Sequence, residues 1–164
     1  MIVLGIDCGL TGAVAAISSD RSYAGVFDLP VIASGKSAKV QTHIDAAGLA
    51  ETIKQARIAA GSVDVWMAAV ERVAAMPGQG VSSVFSLGDS FGAIRATLAV
   101  KHIACEFVTP NAWKRYYGLD GDKERARAKA IELFPGLATS LSRKKDHNRA
   151  EAILVADWLL RKLS

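Results

Sequence analysis

Asp7, Glu71 and Glu151 are the residues on which chemistry can be built. Asp7 ends the apolar run Ile2-Val3-Leu4-Gly5-Ile6, and Glu71 ends a second such run over residues 63–70. Glu151 stands early in a mostly apolar C-terminal segment, in the run Asp146-His147-Asn148-Arg149-Ala150-Glu151. A carboxylate in so apolar a neighbourhood is costly unless its charge is compensated. A bound divalent cation is one compensation; a structural hydrogen bond, or for Glu151 the positive end of a helix, is another. Clustered carboxylates offer hard oxygen ligands, which suit magnesium or manganese. Two such ions about 4 Å apart can activate a water and steady the leaving oxygen of a phosphodiester. Three coordinated placements favour the metal site over three separate structural roles.

The elements that must deliver these acids follow from the patterning. Residues 2–6 and 13–17 are apolar runs joined by Cys8-Gly9-Leu10-Thr11-Gly12, which reads as a hairpin whose first strand is buried on both faces. A third strand over 22–29 ends at Pro30. Residues 31–43, with Ser34-Gly35-Lys36-Ser37, read as a surface loop; the tripeptide lacks the upstream glycine of a nucleotide-binding loop. Leu49, Ile53 and Ala56 recur at helical spacing over 45–60, and residues 63–70 and 103–108 are further strands. A long helix spans 81–100, its apolar side carrying Phe85, Leu87, Phe91, Ile94 and Leu98, with Gly88 and Gly92 open to another backbone. Such a stripe serves a core or a dimer contact, and Phe85 is expected in the core. Pro110 opens a helix capped by Thr109, and Asp122 opens another that Pro135 closes. Residues 137–145 read as a loop, and a last helix runs over 147–163, where Asn148 and His147 share the face of Glu151. The order β-β-β-α-β-α-β-α-α-α describes an α/β domain with a mixed five-stranded sheet and helices on both faces.

The chain of 164 residues suits one domain, 51% hydrophobic and 22% charged, and therefore globular rather than disordered. Met1 leads into the first strand with no basic region before it, and no apolar run reaches membrane-spanning length, so a cytoplasmic protein without a membrane partner is expected. Cys8 and Cys105 lack metal-binding spacing and read as reduced thiols. Charge is lopsided: residues 1–100 hold 7 Lys and Arg against 8 Asp and Glu, whereas residues 101–164 hold 13 against 8. A basic C-terminal portion suits a polyanionic partner.

With Gly5-Ile6-Asp7-Cys8-Gly9, Thr11-Gly12, Val70-Glu71-Arg72-Val73, Thr109-Pro110, Trp113-Lys114, Asp122-Lys123-Glu124 and Arg149-Ala150-Glu151-Ala152, essentially the whole chain resembles the RuvC-type Holliday-junction resolvases, particularly the compact forms of phages and prophages. These lie in the ribonuclease-H-like nuclease superfamily. The resemblance implies that fold, a homodimer binding four-way DNA junctions, and paired nicks made with Mg2+, Mn2+ also serving. It matches Asp7, Glu71 and Glu151 to acidic metal ligands. The family's fourth ligand lies three or four positions before the last acid, where this chain has Asn148 and His147; Asp146, one further back, and His147 compete for the role. His147 is alternatively a proton acceptor near the attacking water. Lys114 and Lys123 match basic residues at the scissile region, and Arg115, Arg143, Lys144, Lys145 and Arg149 are further phosphate candidates or a solvated basic surface. Ala74 stands where family members often carry an aromatic wedge, so that role passes to Met76 or Phe85 or is lost.

Three rivals share parts of the pattern. Asp7-Cys8-Gly9-Leu10-Thr11 also fits the phosphate loop of actin-like ATPases, but those close ATP between two such domains. A YqgF-like RNA-processing nuclease would share the fold without the acid arrangement at Glu151. A junction-binding protein with a decayed metal site is the non-enzymatic alternative, and Ala74 and Asn148 speak for it.

Overall fold

A computed structural model of the chain describes residues 1–34, 41–61, 64–75 and 77–164. Strands β1 (Ile2–Ile6), β2 (Ala13–Ser18) and β3 (Ala24–Asp28) form an antiparallel meander. After the β4 (Val31–Ser34) and β5 (Gln41–Ile44) hairpin and helix α1 (Ala46–Ala59), strand β6 (Val65–Glu71) pairs parallel to β1. Helix α2 (Val81–Val100) then leads to β7 (Cys105–Val108), parallel to β6. The sheet order is β3-β2-β1-β6-β7, the mixed five-stranded sheet the patterning implied. Helices α3 (Pro110–Tyr116), α4 (Lys123–Leu133) and α5 (His147–Leu163) complete the chain.

Both faces of the sheet are covered, which is why β1 and β2 read as unbroken apolar runs. Ile2, Leu4 and Ile6 point to a core shared with α1 and α2, built on Leu49, Ile53, Ile94 and Leu98. Val3, Ala13, Ala15 and Ala69 point to the opposite core, shared with Trp113 of α3, Ala126 of α4 and the apolar length of α5. At Gly5 the sheet and α5 touch backbone to backbone: a Cβ there would sit 2.3 Å from the Ala152 carbonyl oxygen and the Ala156 nitrogen. Asp157, a second buried acid of α5, is fully partnered by Arg21, by the Tyr117 hydroxyl at 2.7 Å and by Arg161 at 2.7 Å. Its role is to tie α5 to the β2–β3 turn and to α3.

Four expectations are corrected. The segment over 31–43 is not a plain surface loop, since 31–34 and 41–44 pair as a hairpin; Gly35 to Ser37 lie outside the described residues. Its strands are largely exposed and carry little apolar alternation, so nothing in their composition signalled pairing. Residues 137–145 are likewise mostly 3-10 turns, over Pro135–Leu137, Thr139–Leu141 and Lys144–Asp146. Phe85 lies outside the core at 72% exposure, because the described part of the chain covers only the side of α2 that carries Ser90, Ile94, Thr97 and Leu98. Thr109 holds the N-cap position of α3 with extended backbone, yet its side chain makes no capping bond among the described residues; the pre-set φ of Pro110 starts that helix.

Candidate active site

The parallel pairing of β1 with β6 puts Ile6 beside Val70, so the chain leaves the two strands with Asp7 and Glu71 as neighbours. Both lie two residues beyond positions facing α5, Gly5 and Ala69, and alternation points them to that same face. Helix α5 crosses there and presents Glu151, only 9% exposed, from its second turn. The Glu151 charge acts on Asp7, and the Asp7 and Glu151 charges act on Glu71. Burial, then the Glu151 charge, raises the Asp7 carboxyl to about 6, against the Gly9 amide, Lys123 and Lys114. Burial raises Glu71 to about 7, with the Asp7 and Glu151 charges adding to it and the Trp113 hydrogen bond opposing. The arrangement therefore carries more negative charge than its own cations neutralise.

The partners of the three acids come mainly from α3. Trp113, fully buried, donates its indole N–H to Glu71 Oε1 at 3.1 Å. The Lys114 ammonium stands 3.1 Å from Glu151 Oε1 and 5.1 Å from the centre of the Trp113 ring. Among the described residues, Asp7 receives only the distant Gly9 amide, 3.5 Å from Oδ1. Next to it, the buried Cys8 thiol donates to the Glu71 carbonyl at 3.3 Å, stitching the end of β1 to the end of β6. Burial pushes that thiol far up, so it remains protonated and serves as a packing group.

The remaining sequence candidates divide. Asp146 is not brought to the cluster. It is buried at 2% exposure in the turn before α5, where it accepts from the Arg143 amide at 2.8 Å and the Arg143 guanidinium at 2.7 Å. Arg143 holds that carboxyl below its usual range. The correction has a simple cause, a local capping arrangement of the 3-10 turn that turns the acid back on its own loop. His147 stands nearer: Nδ1 lies 3.1 Å from the Lys144 carbonyl and Nε2 2.9 Å from Lys123 Nζ. The carbonyl requires the Nδ1 proton, so Nε2 accepts from Lys123, whose charge in turn reaches Asp7. Asn148 donates to the Thr11 carbonyl at 2.8 Å and to its hydroxyl at 3.0 Å, pinning the turn that follows Asp7.

Among the basic candidates, Arg149 is bound to both oxygens of Asp28 at 2.6 Å and Arg143 to Asp146, so each is already neutralised. Arg115, Lys123, Lys144 and Lys145 are exposed. Lys145, Arg143, Arg149 and His147 line a groove of about 470 Å³ that runs past Thr11. The partners that sequence reasoning missed are Trp113 for Glu71 and Asp28 for Arg149. A tryptophan beside a lysine in a short helix carries no sign of which strand end it will meet.

Among the described residues, no three His, Cys, Asp or Glu side chains are closed up as a ready cation cage. The donor set nevertheless fits a hard divalent cation: all-oxygen, buried, mutually repelling, and with a Lys ammonium already drawn to it.

No family model matches the chain. Over 50 residues it is 46% identical to the chloroplastic Holliday junction resolvase MOC1 of Chlamydomonas reinhardtii, a stretch that spans 29% of this chain and 6% of that much longer protein. The fowlpox virus Holliday junction resolvase covers the chain end to end at 12% identity with a TM-score of 0.48. The Thermus thermophilus RuvC structure aligns over 95% of this chain and 91% of its own, with a TM-score of 0.50 and 17% identity. By fold the chain is therefore RuvC-type and ribonuclease-H-like.

Proposed function

We propose that residues 1–164 form one nuclease domain that nicks four-way DNA junctions with Mg2+ or Mn2+ and acts as a homodimer. The observation that carries the reading is that α5 brings Glu151 to the ends of β1 and β6, where its charge acts on Asp7 and Glu71 and Lys114 stands against it, in a RuvC-type fold. The partial match to a junction resolvase supports the same substrate. The three carboxylates would hold the cation, which supplies Lewis acidity to water and phosphate when bound. Trp113 steadies Glu71; Lys123, held by the His147 ring, puts a positive charge within reach of Asp7; and the exposed Arg115, Lys144 and Lys145 attract the backbone. Hydrolysis puts a water oxygen on phosphorus and leaves 5′-phosphate and 3′-hydroxyl ends. Arg143 and Arg149 shape the turn ahead of Glu151 and contact phosphate only by giving up their acids. Phe85, exposed on α2, is left to the contact between subunits rather than to base stacking; Met76, the other wedge candidate, lies outside the described residues.

The test is incubation of a labelled four-way junction and a matched linear duplex with and without Mg2+. Symmetrical, Mg2+-dependent nicks confined to the junction are expected. Equal cutting of the duplex removes the junction assignment, and junction binding without nicking makes the chain a binding protein.

A further inference from the structure

Lys114 is placed where a metal-free site needs a cation. Its ammonium touches Glu151 at 3.1 Å, and its charge also reaches Asp7 and Glu71. The side chain is only 22% exposed and lies along the Trp113 ring, so it is held in place by more than the ion pair. Lys123, the other lysine whose charge reaches Asp7, differs: it is exposed, and its hydrogen bond is to His147. A divalent cation drawn to the carboxylates competes with Lys114 for Glu151, one of whose oxygens the ammonium now holds, and an ammonium at that distance repels it. Four atoms of flexible stem allow the ammonium to swing outward without moving α3.

Resting on the nuclease reading above, we propose that Lys114 is a resident counter-charge: it holds Glu151 while the site lacks metal and is released when a divalent cation binds, which frees its ammonium for a DNA phosphate. Metal entry and phosphate capture are then one exchange. Lys114 lowers the affinity of the free protein for metal and returns that cost when DNA is present to receive it.

Calorimetric titration of Mn2+ alone into the DNA-free chain tests this, with no turnover involved. Lys114→Met is expected to bind Mn2+ more tightly than wild type by about fivefold or more, the effect of one unit charge at about 4 Å even under water-like screening. Lys114→Arg, with a planar fork that grips a carboxylate through two bonds, is expected to bind Mn2+ more weakly. Lys123→Met removes the same charge from a side chain that donates to His147, and is expected to give a clearly smaller gain. The double variant Asp7→Asn/Lys114→Met should lose the gain, which locates it at the acids. Thermal melts establish that each variant is folded, and the Arg variant decides the matter alone if the Met variant is not. Equal or weaker binding by Lys114→Met, or an equal gain from Lys123→Met, overturns the inference and leaves the nuclease reading standing. Failure of both the wild type and Lys114→Met to bind Mn2+ overturns both.

Discussion

Asp7 and Glu71 cost the metal-free fold stability at neutral pH. Their carboxyls are raised from 3.8 to about 6 and from 4.5 to about 7, chiefly by burial. Below about pH 4 both the folded and the unfolded chain hold these protons, and the penalty is absent. As pH rises through the window from about 4 to 7, the unfolded chain ionises freely while the folded one resists, so stability falls. Asp7→Asn removes one such charge. In chelator its melting temperature should exceed that of wild type by several degrees near pH 8, a gain on the order of 2 kcal/mol, and the gap should close toward pH 4. The same variant should lose nicking while binding junctions as tightly or more tightly, since a negative charge near the phosphates has gone. Wild-type nicking by Asp7→Asn would end the metal proposal. These acids were readable in the sequence because each interrupts an apolar run, a local signal. The turn of Asp146 onto Arg143 was not, because both residues look like surface charges until the 3-10 geometry brings them together.

At the scale of elements, the site depends on how closely α5 lies on β1. Gly5 allows that approach two residues before Asp7, and the backbone it meets, at Ala152 and Ala156, starts one residue after Glu151. Gly5→Ala puts a methyl group against backbone atoms that have no rotamer by which to yield. It should destabilise the fold by about 1–3 kcal/mol or more, read in denaturant melts, and push Glu151 away from Asp7. Nicking should then fall by more than the folded fraction does. A variant that melts and nicks like wild type would show that α5 is not positioned by this contact. The strands and helices that make this crossing were readable because burial imposes periodicity. Residues 2–6 are apolar throughout because both faces are covered, and α1 shows Leu49, Ile53 and Ala56 at helical spacing because one face is. The β4–β5 hairpin left no such trace, since its residues are largely exposed and its pairing is a matter of backbone hydrogen bonds. Phe85 was misread for the converse reason: an apolar stripe on α2 says that something covers it without saying whether this chain does.

For the whole molecule, that stripe bears on assembly. Val81 at 86% exposure and Phe85 lie on one line of α2 with Gly88 and Gly92, and a Cβ at either glycine meets nothing within 4 Å among the described residues. The groove formed by the far end of the helix with β7, lined by Gly92, Ala96, Ala99 and Phe107, continues the same surface. A second copy of α2 laid along the line would bury the valine and phenylalanine and use the glycines for close approach, as the proposed homodimer requires. The double variant Gly88→Leu/Gly92→Leu separates this role from folding. Leucine is the better helix former by nearly 1 kcal/mol at each position, so the single chain should melt no lower than wild type, while two helices can no longer approach. Sedimentation should show a dimer for wild type and a monomer for the variant at micromolar concentration. On a plasmid carrying a four-way junction, paired nicks yield linear product, whereas a lone subunit cuts one strand and yields nicked circles. The variant should therefore shift the product from linear to nicked without losing its Mg2+ requirement, because Asp7, Glu71 and Glu151 all come from one chain. Linear product formed at the wild-type rate by a monomeric variant would show that the cuts need no partner, and would remove the dimer from the proposed mechanism while leaving the acid cluster intact.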